Sequence, residues 1–255
     1  SWLKMKLINL KRNNMKTTLK LIALFITVTL ASCNANLNLG DGIDGSGNVV
    51  TEKRTIEAPF TKIDASTGVE VIVEQGATTE VEVEVDDNLM EHIVTRVENG
   101  TLIVKIEENI NTMESAIVRV STKTIEGLES SSGATIRSKN TLKGTNLALK
   151  SSSGSTINTD LEYEKVSSES TSGNEIKLSG KALTLDTKSS SGSEIDAKDL
   201  AANEITAQST SGSNTTVNPI VLLNAKASSG SSIDYVKEPK KVIKEETSGG
   251  SVSLN

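Results

Sequence analysis

The sequence predicts an all-β protein, most of which is a solenoid of stacked coils with about 19–20 residues in each. A tripeptide of two hydroxyl residues and a glycine occurs seven times in the second half of the chain. Its glycines are Gly133, Gly154, Gly173, Gly192, Gly212, Gly230 and Gly249, at separations of 21, 19, 19, 20, 18 and 19 residues. A fixed period of about 20 residues is typical of arrays in which each unit buries its apolar face only against its neighbours. Apolar and polar residues also alternate with period two, as in half-buried strands.

Residues 1–32 are typical of a signal peptide and are not counted as part of the fold. Basic residues precede the apolar run 21–30, which is too short to span a bilayer. Leu30-Ala31-Ser32-Cys33 resembles the bacterial lipobox, which implies cleavage before Cys33 and lipidation of its sulfur. Met15 is a candidate translation start, because a signal peptide beginning there has a normal length. The expected partner of this segment is the lipid bilayer, reached through the acyl anchor.

Residues 33–47 are rich in Asn, Gly and Asp and show no apolar periodicity, so we expect a flexible tether between the lipid and the fold. Part of this segment superficially suggests a calcium loop. It lacks the closing Glu and the register of an EF-hand loop, so we predict no metal there.

Composition excludes several classes of function. Without residues 1–32 the chain keeps 33 acidic and 21 basic side chains, and this acidic excess argues against nucleic acid as a partner. Cys33 is the only cysteine, so the mature chain has no internal disulfide and must be stabilised by packing and backbone pairing. Phe60, Tyr163 and Tyr235 are the only aromatic residues after the leader, which leaves few stacking platforms for sugars or bases.

The part from 48 to 121 is predicted to be β-rich but less regular than the solenoid, which we place at 122–255. Asn99-Gly100 lies between two alternating runs and supplies the positive φ angles of a tight hairpin turn. Residues 86–92 can form a helical turn that is capped by Asp86 or Asp87.

Two sets of positions are predicted to line the interior of the solenoid because they share one parity. The apolar set contains the third residue after each glycine and the seventh before it. The second set is the hydroxyl residue directly before each glycine, expected to form an inward ladder: Ser132, Ser153, Ser172, Ser191, Ser211, Ser229 and Ser248. Stacked hydroxyls can hydrogen-bond along such a column, so we expect leucine at Ser153 to damage folding. The glycines themselves are expected to provide positive φ at a corner, or a close backbone approach.

The fourth residue before each glycine alternates in charge from coil to coil. The members of this column are Glu129, Lys150, Glu169, Lys188, Gln208, Lys226 and Glu245. On an outer face each charge would lie beside an opposite one, which penalises a slip by one coil. In the last coil Lys244 and Glu246 occupy inward positions, as expected where charges protect an open edge.

Several short motifs together resemble one family. They are the lipobox, residues 45–50 and 60–63, the repeated Ser-Gly units, Ile233-Asp234-Tyr235 with Pro239, and the final Ser248-Gly249-Gly250. Over residues 48–255 the chain is similar to the auto-transporter adhesin, head GIN domain proteins of Bacteroidetes. The resemblance implies an exported protein with a right-handed, single-stranded parallel β-helix. Val236-Lys237 follows Tyr235 where the family often has Gly, a departure that falls in a loop.

The residues give little support to catalysis. His92 is the only histidine and has no assigned partner for a Ser-His-Asp triad, and serine without a base is inert. The neighbouring carboxylates Asp86-Asp87 and Glu107-Glu108 suit solvent better than a glycosidase pair. We therefore predict no enzyme, no cofactor and no metal. Arg137 is the only arginine in the solenoid.

Three functions stay open. The leading one is an exported, lipid-anchored envelope protein that acts as an adhesin or binds a macromolecule, polysaccharide or protein, without catalysis. The second is a polysaccharide lyase or hydrolase built on a β-helix, which would need a deep groove with three or more converging ionisable groups. The third is a lipoprotein linked to envelope stress or signalling. The expected location is the outer membrane, either on the cell surface or facing the periplasm.

Overall fold

The computed structural model describes residues 42–255, so the predicted signal peptide, Cys33 and most of the tether lie outside the described residues. Within this range the chain forms strands and one 3-10 helix at Asp87–His92. The strands are Ile43–Asp44 (β1), Val49–Arg54 (β2), Lys62–Ser66 (β3), Glu70–Gln75 (β4), Glu80–Asp86 (β5), Ile93–Glu98 (β6), Thr101–Ile106 (β7), Ile110–Thr112 (β8), Ala116–Thr122 (β9), Gly127–Ser130 (β10), Thr135–Ser138 (β11), Leu142–Ser152 (β12), Thr156–Thr171 (β13), Glu175–Ser190 (β14), Glu194–Ser209 (β15), Asn214–Ala227 (β16), Ser232–Tyr235 (β17), Lys241–Glu246 (β18) and Ser251–Leu254 (β19).

The second half of the chain is a parallel β-solenoid of about 7 turns, as the repeat predicts. Equivalent residues of successive coils lie side by side. Ile157 pairs with Ile176, which pairs with Ile195, and the same register continues to Val252. Strands β13 to β15 each contain 16 residues, so one strand wraps most of one coil. The apolar residues of the two predicted columns fill the interior, and Ile136, Ile157 and Leu185 are completely buried.

Each glycine of the repeat closes a turn in which two consecutive residues have positive φ. In the second of the seven turns φ is 54° at Ser153 and 69° at Gly154. The glycine N–H donates to the carbonyl of the serine that precedes the glycine of the next coil, at N···O distances of 3.0–3.3 Å. The donors are Gly68, Gly133, Gly154, Gly173, Gly192, Gly212 and Gly230, and the acceptors are Ser132, Ser153, Ser172, Ser191, Ser211, Ser229 and Ser248. The expectation of positive φ at the glycines is therefore confirmed.

Thr67-Gly68 is a further copy of the turn that the repeat spacing does not reveal. Its φ angles are 61° and 72°, and the Gly68 N–H donates to the Ser132 carbonyl. Strands β3 and β4 flank this turn and pair in parallel with β10 and β11. The solenoid therefore begins at Lys62, and the predicted boundary near residue 121 does not separate two folds.

Residues 76–126 leave the solenoid between two of its coils and build its N-terminal end. Strands β7 and β9 pair in parallel with β3 and β4 and so add another layer. Antiparallel strands then extend this layer: β6 pairs with β7, β5 pairs with β9, and β2 pairs with β5. Asn99-Gly100 forms the predicted hairpin turn between β6 and β7, with both φ angles positive.

The predicted inward serine ladder is wrong in its position. The serine directly before each glycine lies in the turn, where the parity of the strand is broken, and its side chain is exposed: Ser132, Ser153, Ser172, Ser191, Ser211, Ser229 and Ser248. An internal hydroxyl column exists on either side of the turn instead. In most coils it occupies the third position before the glycine and the first position after it, and its buried serines are Ser130, Ser151, Ser155, Ser170, Ser189, Ser193, Ser209, Ser213 and Ser231.

These buried serines pair the backbone at the ends of the strands. The Ser155 Oγ accepts a hydrogen bond from the Ser152 N–H at 3.2 Å. Its single hydrogen can be donated to the Ser152 carbonyl at 2.7 Å in its own coil or to the Ser130 carbonyl at 2.8 Å in the preceding coil. Ser193 and Ser231 make the same inter-coil contact at 2.7 Å. The hydroxyl column therefore ties each turn to the coil before it.

Glycine is also required where a tyrosine ring passes beneath the chain. A Cβ on Gly144 would lie 2.6 Å from the ring of Tyr163. The Tyr163 hydroxyl donates to the Ile125 carbonyl at 2.7 Å. Burial, and next the charge of Glu126, raise the pKa of Tyr163 to about 12.

Residues 42–47 belong to the fold, which corrects the predicted tether for this part of the segment. Strand β1 pairs with β8, and the Gly47 N–H donates to Oδ2 of the buried Asp86 at 2.9 Å. The other oxygen of Asp86 accepts from the Glu114 N–H at 3.1 Å. The Asp86 carboxylate therefore holds two loops together and makes no side-chain cap bond to the helix that follows it.

Lys244 and Glu246 close the C-terminal end of the solenoid as charged edge residues. The Val252 N–H donates to Glu246 Oε1 at 2.5 Å, and Lys244 Nζ donates to the Val252 carbonyl at 3.0 Å. The Lys244 ammonium also lies 4.9 Å from the centroid of the Tyr235 ring. Among residues 42–255, β19 pairs only with β17, so these side chains bond to backbone groups that could otherwise pair with an added strand.

We predict that Ser155→Ala lowers the free energy of unfolding by about 1–3 kcal/mol, because buried backbone groups lose their partner. Ser153→Gly is the matched control, since Ser153 is exposed and glycine accepts its positive φ without strain. Chemical denaturation should show a clear loss for Ser155→Ala and none for Ser153→Gly. Equal losses, or a loss only at Ser153, would contradict the observed position of the hydroxyl column.

We predict that the double variant Lys244→Val and Glu246→Ser associates through the exposed edges of β18 and β19. The control carries Lys240→Val and Glu238→Ser, which remove the same charges from a nearby exposed loop. Sedimentation in about 0.5 M NaCl, where charges are screened beyond roughly 4 Å, should show larger species for the double variant alone. Identical sedimentation of both variants would show that these side chains do not protect the edge.

Candidate binding face

One side of the solenoid is a flat polar surface, which we call wall A. It consists of the outward side chains at the sixth, fourth and second positions before each turn glycine. The predicted charge column is its centre, and all seven residues are exposed and in register. Asp64 of the first coil extends the column beside Glu129. The predicted alignment of alternating charges is therefore confirmed.

Most of these charges do not contact one another directly. Lys226 and Glu245 form an ion pair at 2.8 Å. No other ion pair within 4.0 Å joins two members of the column among the residues described. Burial, and next the charge of Glu129, raise the pKa of Asp64. The exposed charges of the middle coils are therefore available to a partner.

The two columns of residues beside the charge column have mostly short, polar side chains. On one side stand hydroxyl residues: Ser66, Ser131, Ser152, Thr171, Ser190, Thr210, Ser228 and Thr247. On the other side stand mostly small residues, with an exposed isoleucine in the last coil: Gly127, Ala148, Ser167, Asp186, Thr206, Asn224 and Ile243. Shallow depressions of about 340 Å³ and 390 Å³ flank the charge column, and Glu169, Lys188 and Gln208 line both. Another depression of about 180 Å³ continues the surface towards Lys62.

A second wall, which we call wall B, carries a charged depression of about 470 Å³ near the N-terminal end. Its charged lining residues are Glu74, Glu80, Glu82, Arg119, Arg137 and Lys139. Each of the three cationic side chains in this set pairs with a carboxylate. Arg119 lies 2.9 Å from Glu84, Lys139 lies 2.7 Å from Glu74, and Arg137 contacts Glu70. These ion pairs neutralise the positive charges, which a catalytic site would instead direct towards its substrate.

The third side of the solenoid has a more apolar depression of about 500 Å³. Leu183 and Ile220 line it and are 53% and 39% exposed. Lys181, Glu162 and Glu164 lie around them, so the apolar area is small and interrupted by charge.

The residues considered for catalysis are not brought together. His92 ends the 3-10 helix, and its nearest carboxylate is that of the adjacent Glu91, at 3.9 Å. Asp86 is buried and bonded to backbone, whereas Asp87 is exposed and bonded to Ser46 and Asn48, which lower its pKa. Glu107 pairs with Lys105 and Arg96, and these contacts lower its pKa. Over residues 42–255 no cluster of three or more His, Cys, Asp or Glu side chains could hold a metal.

The described chain is thus a β-solenoid whose wall A is an extended, regular polar surface with shallow depressions. The part from 42 to 255 contains no helix long and apolar enough to cross a membrane. The family model described as "putative auto-transporter adhesin, head GIN domain" matches residues 59–239. The chain belongs to this family.

Solved structures with the same fold include three bacterial proteins. A "putative adhesin" of Bacteroides fragilis has 23% identity and a TM-score of 0.76, and the match covers 84% of this chain and 99% of that protein. A "putative adhesin" of Parabacteroides merdae has 21% identity and a TM-score of 0.66, covering 84% and 98%. A "putative lipid binding protein" of Parabacteroides distasonis has 18% identity and a TM-score of 0.68, covering 84% and 99%. Among proteins with curated functions, none is significantly similar to the chain.

Proposed function

We propose that the chain is an exported, lipid-anchored protein of the cell envelope whose solenoid acts as an adhesive module without catalysis. Wall A, a continuous polar surface over six coils with largely unpaired charges at its centre, is the observation that carries this proposal. Membership of an adhesin family supports it. The lipobox-like sequence at Cys33 supports attachment to the outer membrane by an acyl chain.

Binding through such a surface would be distributed over many weak contacts. Exposed lysine and glutamate side chains contribute little individually, typically about 0.2–1 kcal/mol for each ion pair. A row of them, with hydroxyls alongside, adds such contacts in one direction along the solenoid. This arrangement suits an extended partner at the envelope, whereas a small ligand would need a deeper and more enclosed site.

A carbohydrate-active enzyme is the second candidate, and the charged depression on wall B favours it. Glu80 and Glu82 lie in this depression with Arg119. Retaining and inverting glycosidases both require two carboxyl groups that face the substrate. Here Glu82 lies 3.7 Å from Arg119 and Glu80 lies 3.6 Å from Lys53, so both carboxylates are engaged in ion pairs.

The test measures retention under flow of cells that carry the complete chain, on glass coated with mucin, a probe with both polypeptide and polysaccharide. We expect the triple variant Lys150→Ala, Lys188→Ala and Lys226→Ala to reduce retention roughly tenfold, since three lost contacts of about 0.5 kcal/mol each amount to about one power of ten. The matched control, Lys53→Ala, Lys177→Ala and Lys198→Ala, removes the same charge away from wall A and should leave retention unchanged.

Cys33→Ser cells report on the anchor, because unlipidated protein should be lost from the envelope and retention should fall with it. Equal retention of the wild type and cells lacking the chain would overturn the adhesive function. Release of reducing sugar ends from the mucin film by the purified chain, abolished by Glu82→Gln, would favour the enzyme instead.

A further inference from the structure

The charges on wall A alternate in a way that makes the wall complementary to itself. From the Gly133 coil to the Gly230 coil, the column has the order acidic, basic, acidic, basic, neutral, basic. If the column is reversed about the point between Glu169 and Lys188, each acidic residue meets a basic one. A surface that matches itself after rotation by half a turn is the requirement for an isologous contact between two copies.

We propose that wall A binds wall A of a second copy of this chain, with the two solenoid axes antiparallel. The inference rests on the proposed adhesive function and names its partner. The two-fold axis lies along the strand direction, so each column of one copy faces the same column of the other. Glu169 then faces Lys188, Lys150 faces Gln208, and Glu129 faces Lys226.

The flanking columns are compatible with the same arrangement. In the column of small residues, Ser167 faces Asp186, Ala148 faces Thr206, and Gly127 faces Asn224, so no like charges or bulky side chains are opposed. In the hydroxyl column Ser and Thr face Ser and Thr, and a hydroxyl both donates and accepts hydrogen bonds. The outermost pair, Asp64 and Glu245, would bring two carboxylates together, which limits the contact to the six inner coils.

The two depressions of wall A lie on either side of the charge column. Both are lined by Glu169, Lys188 and Gln208, so the proposed two-fold axis, which runs along the strand direction between Glu169 and Lys188, crosses both depressions. Each provides space beside the charge column for long side chains of the facing copy. A displacement of one copy by one coil would set Lys against Lys and Glu against Glu, which is unfavourable.

The size of the surface predicts a weak contact. Six coils about 4.8 Å apart and five residues of each strand give roughly 500 Å² on each copy, which is at the low end for specific interfaces. Such a contact becomes effective when many copies are held on two facing surfaces. Antiparallel solenoids place the N-terminal ends of the two copies at opposite ends of the complex, as is required if the copies are attached to different surfaces.

The test uses beads coated with the complete chain, coupled through its single cysteine, Cys33, and follows their aggregation by light scattering. Wild-type beads should aggregate, and about 0.5 M NaCl should disperse them because exposed charges are then screened. Beads with Lys188→Glu alone should aggregate at least tenfold more slowly, as should beads with Glu169→Lys alone, because each change places like charges opposite one another twice in every contact.

A mixture of Lys188→Glu beads and Glu169→Lys beads should aggregate again, since both opposed pairs then have opposite charges. The controls Lys240→Glu and Glu238→Lys, in the exposed loop that precedes β18 and outside the three columns of wall A, should behave as wild type. Failure of wild-type beads to aggregate, or failure of the mixture to recover, would overturn the self-association. Retention on mucin without bead aggregation would leave the adhesive function standing and remove only the second copy as its partner.

Discussion

The backbone hydrogen bond from each turn glycine to the serine carbonyl of the next coil is the constraint on which the rest of the fold depends. Directing this N–H along the solenoid axis requires positive φ at two consecutive residues. A non-glycine residue in this region costs about 1–2 kcal/mol, so glycine occupies one position and a small hydroxyl residue the other. Seven such bonds in series align the coils, and the columns on both faces follow from that alignment.

The interior and the surface use the same register for different purposes. Inside, hydroxyl groups beside the turn bond to backbone of their own and the preceding coil, as Ser155 does. The pairing is incomplete, since Ser168 Oγ, Thr187 Oγ1 and Asn174 Nδ2 are buried and without a partner among the described residues. Outside, the alternating charges stand about 4.8 Å apart, which both disfavours slipped coils and produces a surface that is complementary to itself.

The solenoid, its period and the outer charge column could be predicted because each follows from residues repeated at a fixed spacing. The position of the inner serines could not be predicted correctly, because strand alternation does not hold within the turn itself, where positive φ leaves the serine before each glycine exposed. The first coil was missed because residues 76–126 separate its turn, Thr67-Gly68, from the others. The role of residues 42–47 depends on bonds to Asp86, about 40 residues away along the chain, and local composition carries no sign of that contact. For wall A, the sequence alone indicated the alternation, whereas the unpaired state of its charges required the structure.

Hydrogen exchange of the turn glycine amides tests the central claim most directly, since each of these amides has one assigned acceptor in the next coil. Gly249 is the exception, because its N–H has no backbone acceptor in another coil among the described residues. We predict strong protection for Gly154, Gly173 and Gly192 and rapid exchange for Gly249. Rapid exchange at the three inner glycines would contradict the turn ladder and with it the alignment of both the interior column and wall A.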